Sequence, residues 1–136
     1  MTQEEQLLIQ HEGLKLRPYK CSAGKLTIGV GRNIEDNGIT QDEAIYMLRN
    51  DIKRCRDELS KFHLSLGTGA REAAIVNMLF NLGLPRFSAF KNMIMALSLG
   101  QWEVAAEEML DSKWARQVGQ RAQTLADMVR TDTWRS

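Results

Sequence analysis

Residues 12–31 read EGLKLRPYKCSAGKLTIGVG, and this is where the chain changes from helical to β patterning. Before it, a capping box at residues 2–5 starts a short helix, and Gly13 ends that helix. Within it, the turn residues 22–24 precede an apolar and β-branched run at 26–31, which predicts a strand. A short helix followed by a small β-hairpin is therefore expected to open the fold.

The rest of the chain carries helical patterning. A second capping box at residues 40–43 precedes a long helix over about 41–62, in which apolar residues recur at spacings of 4, 3, 4 and 3 along one face. Those positions are Leu48, Ile52, Cys55, Leu59 and Phe62. Four more helices are expected, over about 71–82, 88–99, 101–111 and 119–130. The first of these is apolar nearly all round, which predicts that it is the buried helix of the core.

This order of elements predicts one α+β domain, mainly α, with two lobes. The length of 136 residues is enough for one compact domain with a sizeable core and short for two. The small N-terminal lobe with the β-hairpin covers about 13–40, the interlobe helix about 41–62, and the helical C-terminal lobe about 70–136. Clefts between such lobes are common ligand sites.

Composition excludes several classes of protein. With 18 Lys and Arg against 17 Asp and Glu, the net charge of +1 gives no overall attraction for nucleic acid or an anionic membrane. Two cysteines do not form a disulfide scaffold, and the histidines and cysteines show no metal-ligand spacing, so neither a metal nor another cofactor is expected. The N-terminus lacks the pattern of a signal peptide, and no segment is apolar enough to insert into a membrane.

Two features near the predicted hairpin could carry chemistry. Glu12 directly precedes Gly13, so its carboxyl is expected at the negative end of the helix dipole, which favours the protonated form that a general acid needs. Position alone favours the other interpretation, a solvated glutamate at a helix end. The following residues 13–34 contain no acid and five cations, namely Lys15, Arg17, Lys20, Lys25 and Arg32. This stretch is either an electropositive lip that attracts an anionic polymer or an ordinary solvated hairpin.

The sequence of this region resembles the signature of the phage-type lysozymes. The similar segments follow in order along nearly the whole chain, at residues 12–19, 26–31, 37–44, 71–83, 102–106, 112–117, 121–122 and 130–134. The resemblance implies a single lysozyme-like domain over residues 1–136, in which the helix of residues 1–12 packs on the C-terminal lobe.

The resemblance also implies a muramidase. Enzymes of this family are glycoside hydrolases that cleave the β-1,4 bond between N-acetylmuramic acid and N-acetylglucosamine in peptidoglycan. Their catalytic set is a Glu, an Asp nine residues later and a Thr six residues after that, and those positions hold Glu12, Cys21 and Thr27 here. Glu12 and Thr27 match the family pattern, whereas Cys21 replaces the acid.

A thiol at this position can still serve the reaction. Glycoside hydrolysis needs one group that protonates the leaving oxygen, here Glu12, and a second that assists from the opposite face of the sugar. As a thiolate, Cys21 would either attack the sugar directly, with retention of configuration, or activate a water, with the inversion expected for the family. Lys20 and Lys25 are expected to favour the thiolate, and Thr27 to hold the water or the cysteine. The alternative is that the catalytic group is lost and Cys21 is a spectator.

Further positions follow from the resemblance alone. Arg121 matches a family arginine that supports the catalytic Glu from the C-terminal lobe. Phe80, Asn81 and Gln117 stand where the family binds substrate, although core packing suits Phe80 at least as well and Asn81 replaces a family Gln. Arg32 stands where the family often has His.

The second cysteine, Cys55, lies on the apolar stripe of the long helix, so a buried small hydrophobe is expected. A disulfide between Cys21 and Cys55, which would block the site once the protein meets an oxidising periplasm, is a further hypothesis.

The resulting prediction is a monomeric endolysin that acts on the peptidoglycan glycan strand and lyses the host cell. The resemblance implies accumulation in the host cytoplasm, release through a holin-made lesion without direct binding to the holin, and action on the cell wall in the periplasm. The alternative is a catalytically impaired lysozyme-fold protein that binds the cell wall or serves as a phage structural protein. A helical nucleic-acid binder is disfavoured by the net charge of +1.

Overall fold

The computed structural model describes residues 1–135, which form a mainly helical α+β fold with one small antiparallel sheet, as predicted. In chain order the elements are α1 (Gln3–Glu12), β1 (Lys15–Lys20), β2 (Leu26–Gly29), β3 (Arg32–Asn33), α2 (Ile34–Asn37), α3 (Gln41–Ser60), α4 (Ala70–Leu82), α5 (Leu84–Ser88), α6 (Lys91–Ser98), α7 (Trp102–Leu110), α8 (Lys113–Val118) and α9 (Gln120–Thr131). The chain divides into two compact units, Met1–Met47 and the part from Leu48 onward, and the division falls within α3. Over residues 1–135, no helix has the length and apolar character that crossing a membrane demands.

Helix α1 begins and ends at the predicted residues. The Thr2 hydroxyl accepts from the Glu5 N–H at 3.0 Å, and the Glu5 carboxylate accepts from the Thr2 N–H at 3.1 Å, which completes the capping box. Gly13 ends the helix with its N–H donated to the Ile9 carbonyl at 2.8 Å. Its φ of +79° is positive as expected, but its ψ of 164° is extended rather than left-handed helical, and it leads straight into β1.

The three strands pair in the order β1-β2-β3, all antiparallel. The predicted strand at 26–31 ends earlier, at Gly29, because Gly29 and Gly31 adopt positive φ values of +71° and +65° and turn the chain into β3. β1 was not recognised as a strand of its own, since Pro18 interrupts its pattern. A proline is tolerated there because β1 is an edge strand, where a missing N–H leaves no ladder partner unpaired.

Between the sheet and the long helix lies a short helix, α2, that the pattern did not predict, and α3 ends two residues before the predicted boundary. The predicted turn at residues 36–38 is the end of the short helix α2, which Asn33 caps by accepting from the Asp36 N–H at 3.1 Å. Helix α3 starts at the predicted capping box, with the Glu43 N–H donated to the Thr40 hydroxyl at 3.2 Å, and it ends at Ser60.

The hydrophobic core of the second unit lies around α4, which packs against α9, while α7 packs against both α6 and α9. Helix α4 is the most buried helix, as predicted, and its Ile75, Met78 and Leu79 have an exposed fraction of at most 1%. The predicted stripe of α3 contributes Cys55 and Leu59 to this core, whereas Leu48 remains 41% exposed.

The C-terminal part contains two short helices that the pattern did not predict. The expected helix over 88–99 is the shorter α6, and α5 precedes it with Pro85 in its first turn, where a proline costs no helical hydrogen bond. Helix α8 is capped by Ser112, whose hydroxyl accepts from the Ala115 N–H at 3.0 Å. With six residues it is too short to produce a periodic signal.

Candidate active site

The carboxylate of Glu12 lies against the turn between β2 and β3. Glu12 is the last residue of α1 and is exposed. A β-carbon built on Gly31 would lie 2.6 Å from Glu12 Oε2 and 3.1 Å from Cδ, so the Glu12 side chain occupies the space above this glycine. Gly31 was not singled out as a site residue in the sequence, because its role depends on a contact between two separate elements.

Cys21 and Thr27 are brought together by the hairpin of β1 and β2. Tyr19 is paired with Thr27 in the ladder, so the chain reaches Cys21 immediately after the paired strand. The Cys21 N–H and the Thr27 hydroxyl both donate to one acceptor, the carbonyl of Lys25, at 3.0 and 2.9 Å. Thr27 is 2% exposed, and it is the one fully buried residue among residues 1–47. The two predicted site residues are therefore held by a common backbone group.

The Cys21 thiol is free and half-buried, and its pKa is lowered from the ordinary value of a cysteine. The largest causes are hydrogen bonds with the backbone of Lys25 and of Ala23, and burial opposes them. The expectation that the ammonium groups of Lys20 and Lys25 lower this pKa was wrong in its cause. A hydrogen bond donated to a thiolate stabilises its negative charge and therefore lowers the pKa of the thiol.

Two of the five cations predicted to form an electropositive lip are neutralised. Lys25 Nζ lies 3.3 Å from Asp36 Oδ1 and 3.6 Å from Glu35 Oε2, both on α2. The remaining cations, Lys15, Arg17 and Lys20, make no salt bridge within residues 1–135.

The other neutralised cation, Arg32, is paired with Glu43 of α3. Arg32 Nη1 lies 2.5 Å from Glu43 Oε1, which also accepts from the Thr40 N–H at 2.7 Å. The hydrogen bond from Arg32 is the main cause that lowers the pKa of Glu43 to about 2, and the Thr40 backbone adds to it. The ion pair with Glu43 therefore holds the Arg32 side chain against the first turn of α3.

In the second unit, Arg121 and Phe80 line a surface cavity of about 400 Å³ together with Asn77 and Trp134. The Arg121 guanidinium donates to Asn77 Oδ1 through Nε at 3.0 Å and through Nη2 at 2.7 Å. Phe80 is 43% exposed, so it is not a core residue. The sequence analysis did not identify Asn77, although it is the one polar residue in the apolar run 73–80 of α4, which is a signal that could have identified it.

Asn81 and Gln117 lie in different settings. Asn81 Oδ1 accepts from the indole N–H of the buried Trp114 at 2.8 Å, so part of its hydrogen-bonding capacity serves packing. Gln117 is exposed on α8. The substrate-binding roles of these residues and the pairing of Arg121 with Glu12 stay predictions.

Cys55 is 2% exposed in the core, as predicted, and burial raises the pKa of its thiol. Both cysteines are free, and the disulfide between them stays a hypothesis. In residues 1–135, no group of three or more His, Cys, Asp or Glu side chains is arranged to hold a metal ion.

Comparison with known proteins adds independent information. Residues 9–131 match the family model described as phage lysozyme. An endolysin of Acyrthosiphon pisum secondary endosymbiont phage 1 is 32% identical over 114 aligned positions, which cover 81% of this chain and 75% of that protein. The probable T4-type lysozyme 1 of Dictyostelium discoideum is 26% identical over 159 positions, covering 93% of each chain. The pre-baseplate central spike protein Gp5 of Enterobacteria phage T4 is 27% identical over 157 positions, covering 93% of this chain and 27% of that protein. The chain belongs to the phage lysozyme family.

Proposed function

We propose that this protein is a lysozyme that hydrolyses the β-1,4 bond between N-acetylmuramic acid and N-acetylglucosamine in peptidoglycan, with Glu12, Cys21 and Thr27 as its catalytic residues. The observation that carries the proposal is that Cys21 and Thr27 share the Lys25 carbonyl in the β1–β2 hairpin, while the Glu12 carboxylate lies on the β2–β3 turn of the same sheet. Membership of the phage lysozyme family supports the reaction class.

Glu12 has the role of general acid. Its carboxyl group transfers a proton to the glycosidic oxygen as the bond from that oxygen to the anomeric carbon breaks. The side chain is exposed at the end of α1, so a sugar strand can reach it, and its contact with Gly31 restricts where the carboxylate points.

Cys21 has the role of the group that assists from the opposite face of the sugar, and it can do so by either of two mechanisms. In the first, the thiolate forms a bond to the anomeric carbon as the leaving oxygen takes the Glu12 proton, and water later displaces the sulfur, which retains the configuration. In the second, the thiolate takes a proton from a water whose oxygen attacks the anomeric carbon, which inverts it. Thr27 orients the water or the cysteine, and the lowered pKa of Cys21 favours either course, because both need the thiolate.

The substrate strand is proposed to extend to residues of the second unit. Phe80 has an exposed aromatic ring that could stack on a sugar, and Asn81 and Gln117 have amide groups. The role of Arg121 in supporting the catalytic carboxylate is proposed from the family resemblance alone. The protein is proposed to act as a monomeric endolysin that remains in the host cytoplasm until a holin lesion releases it to the cell wall. Its similarity to a protein named endolysin supports this role.

A turbidity assay on permeabilised Gram-negative cells tests the enzyme proposal. The wild type is expected to clear the suspension, and Glu12→Gln and Cys21→Ser are expected to clear it more slowly by about 100-fold or more. A wild type that clears no faster than Glu12→Gln would rule out the proposed activity, and a fully active Cys21→Ser would remove the cysteine from the mechanism. Proton NMR of the released reducing ends distinguishes retention from inversion.

The second candidate is a phage structural or wall-binding protein with little turnover. The replacement of the family Asp by Cys21 favours it, and so does the similarity to a central spike protein of phage T4. Sedimentation with purified peptidoglycan separates the two candidates. Retention on the sacculus without release of reducing sugar supports the structural role, whereas release of reducing sugar that Glu12→Gln abolishes supports the enzyme.

A further inference from the structure

Glu35 makes two contacts with the turn that joins β1 to β2. Its Oε1 accepts from the N–H of Leu26 at 3.2 Å, and its Oε2 lies 3.6 Å from the Nζ of Lys25. Because Glu35 belongs to α2, these contacts tie a separate helix to the first residue of β2. None of the family segments that led to the predicted catalytic set includes Glu35.

Helix α2 is itself anchored to the sheet. Asn33 caps it by accepting from the Asp36 N–H at 3.1 Å and donating to Asp36 Oδ2 at 2.9 Å. In the ladder between β2 and β3, Asn33 is paired with Thr27. Helix α2 is therefore joined to β2 at two points. Asn33, its capping residue, is paired with Thr27, and Glu35 accepts from the Leu26 N–H.

The residue that Glu35 holds is the one on which the proposed catalytic pair depends. The Lys25 carbonyl accepts from both the Cys21 N–H and the Thr27 hydroxyl, and Gly24 donates its N–H to the Cys21 carbonyl at 2.8 Å. Any movement of Lys25 would therefore displace Cys21 and Thr27 together.

We propose that Glu35 is a positioning residue for the reaction, which fixes Lys25 and Leu26 and thereby sets the mutual placement of Cys21 and Thr27. This inference rests on the proposed hydrolase function and deepens it. Glu35 acts through the backbone of the turn, so its removal should impair the chemical step more than the binding of the sugar strand.

Asp36 provides a matched control. Its Oδ1 lies 3.3 Å from the same Lys25 ammonium and its exposure is similar to that of Glu35, but of these two carboxylates it is Glu35 that accepts from the Leu26 N–H. Glu35→Gln removes the charge and keeps an oxygen for the Leu26 N–H. Glu35→Asp keeps the charge and withdraws that oxygen by one methylene.

Two measurements test the proposal. The first is kcat and KM on purified peptidoglycan. Glu35→Ala and Glu35→Asp are expected to lower kcat by about 10- to 100-fold with KM within about threefold, while Glu35→Gln and Asp36→Asn stay within about threefold of wild type. The second is the rate at which iodoacetamide alkylates Cys21 at neutral pH, with Cys21→Ser as the blank for Cys55. This rate is expected to change by about threefold or more in Glu35→Ala and Glu35→Asp only.

Three results would overturn the proposal. The first is that Glu35→Ala and Glu35→Asp both have the kcat and the Cys21 alkylation rate of the wild type. The second is an equal loss in Asp36→Asn, which would assign the effect to the Lys25 ion pair. The third is a loss in Glu35→Gln as large as in Glu35→Ala, which would assign it to charge. An inactive wild type would reject the hydrolase proposal instead, and the alkylation rates would then still decide whether Glu35 positions Cys21.

Discussion

Glu12 and Gly31 are complementary in shape, because the glutamate carboxylate occupies the space that a β-carbon on residue 31 would need. That carbon would lie 2.6 Å from Oε2, a separation that folded proteins do not tolerate. Gly31 also has a φ of +65°, which side chains other than glycine rarely adopt. The end of α1 and the β2–β3 turn thus approach each other through a residue that lacks a side chain.

The first prediction concerns the substitution Gly31→Ala. The new methyl group would displace the Glu12 carboxylate, and the lytic rate is expected to fall by about 100-fold. Gly29→Ala is the matched control, because Gly29 has a similar φ of +71° but no atom within 4 Å of the position of a new β-carbon. Both variants should lose about 1 kcal/mol of folding free energy from backbone strain. Equal lytic rates in the two variants, measured beside their thermal midpoints, would contradict the role of the Glu12 contact.

The second prediction concerns the pH dependence of lysis. If Cys21 acts as a thiolate, the rate should rise as the pH rises through the pKa of Cys21, which hydrogen bonds with the backbone of Lys25 hold below the ordinary thiol value. Cys21→Asp should remove this rising limb, because a carboxylate is already ionised across the neutral range. Initial rates on purified peptidoglycan over the neutral and alkaline range measure the limb. Identical profiles for wild type and Cys21→Asp would show that the thiol does not titrate in the reaction.

The third prediction concerns acid unfolding of the first unit. The Arg32 hydrogen bond lowers the pKa of Glu43 to about 2 in the folded protein, so the unfolded chain binds this proton more readily. The stabilisation by Glu43 is therefore complete above about pH 4.5 and is lost as the pH falls towards about 2. Glu43→Gln should lower the thermal midpoint at neutral pH and flatten its dependence on pH in the acid range. Asp42→Asn, which removes the adjacent carboxylate, should leave that dependence nearly as in wild type.

The fourth prediction separates packing from substrate binding at Asn81. Asn81→Ala leaves the indole N–H of Trp114 without its partner at 2.8 Å and should destabilise the fold by about 1–3 kcal/mol in urea unfolding. In a Trp114→Phe background the same change should cost less, because the donor is gone. An equal cost in both backgrounds would mean that the hydrogen bond contributes nothing to stability.

Local patterns were sufficient to predict the α+β class and most helices. The capping boxes at Thr2 and Thr40 mark helix starts because a side-chain oxygen satisfies a free N–H within the same turn, and such contacts can be read from adjacent residues. The alternation that would identify β1 is broken by Pro18, and the six residues of α8 are too few for a period. Their own sequences are too irregular or too short to indicate β1 and α8. They are stabilised by contacts with other elements, β1 by its ladder with β2 and α8 by packing against α7 and α9.

The proposed catalytic set came from the resemblance to the phage lysozymes, but the neighbouring residues in the sequence suggested the wrong cause for the lowered pKa of Cys21. Lys20 and Lys25 suggested that positive charge lowers the pKa of Cys21. In the structure, hydrogen bonds with the backbone of the hairpin are the main cause, and the Lys25 ammonium forms ion pairs with Glu35 and Asp36 of α2. Hydrogen bonds of this kind depend on where the chain turns.

By itself, the sequence determined the class of the fold and the family, because these depend on residue types at fixed separations along the chain, and its resemblance to that family implied the proposed set Glu12, Cys21 and Thr27. The tertiary structure alone decided that Gly31 accommodates the Glu12 carboxylate, that one carbonyl of Lys25 holds Cys21 and Thr27, and that Glu35 reaches the turn. These relations join residues distant in sequence, so their distances follow from the packing of whole elements.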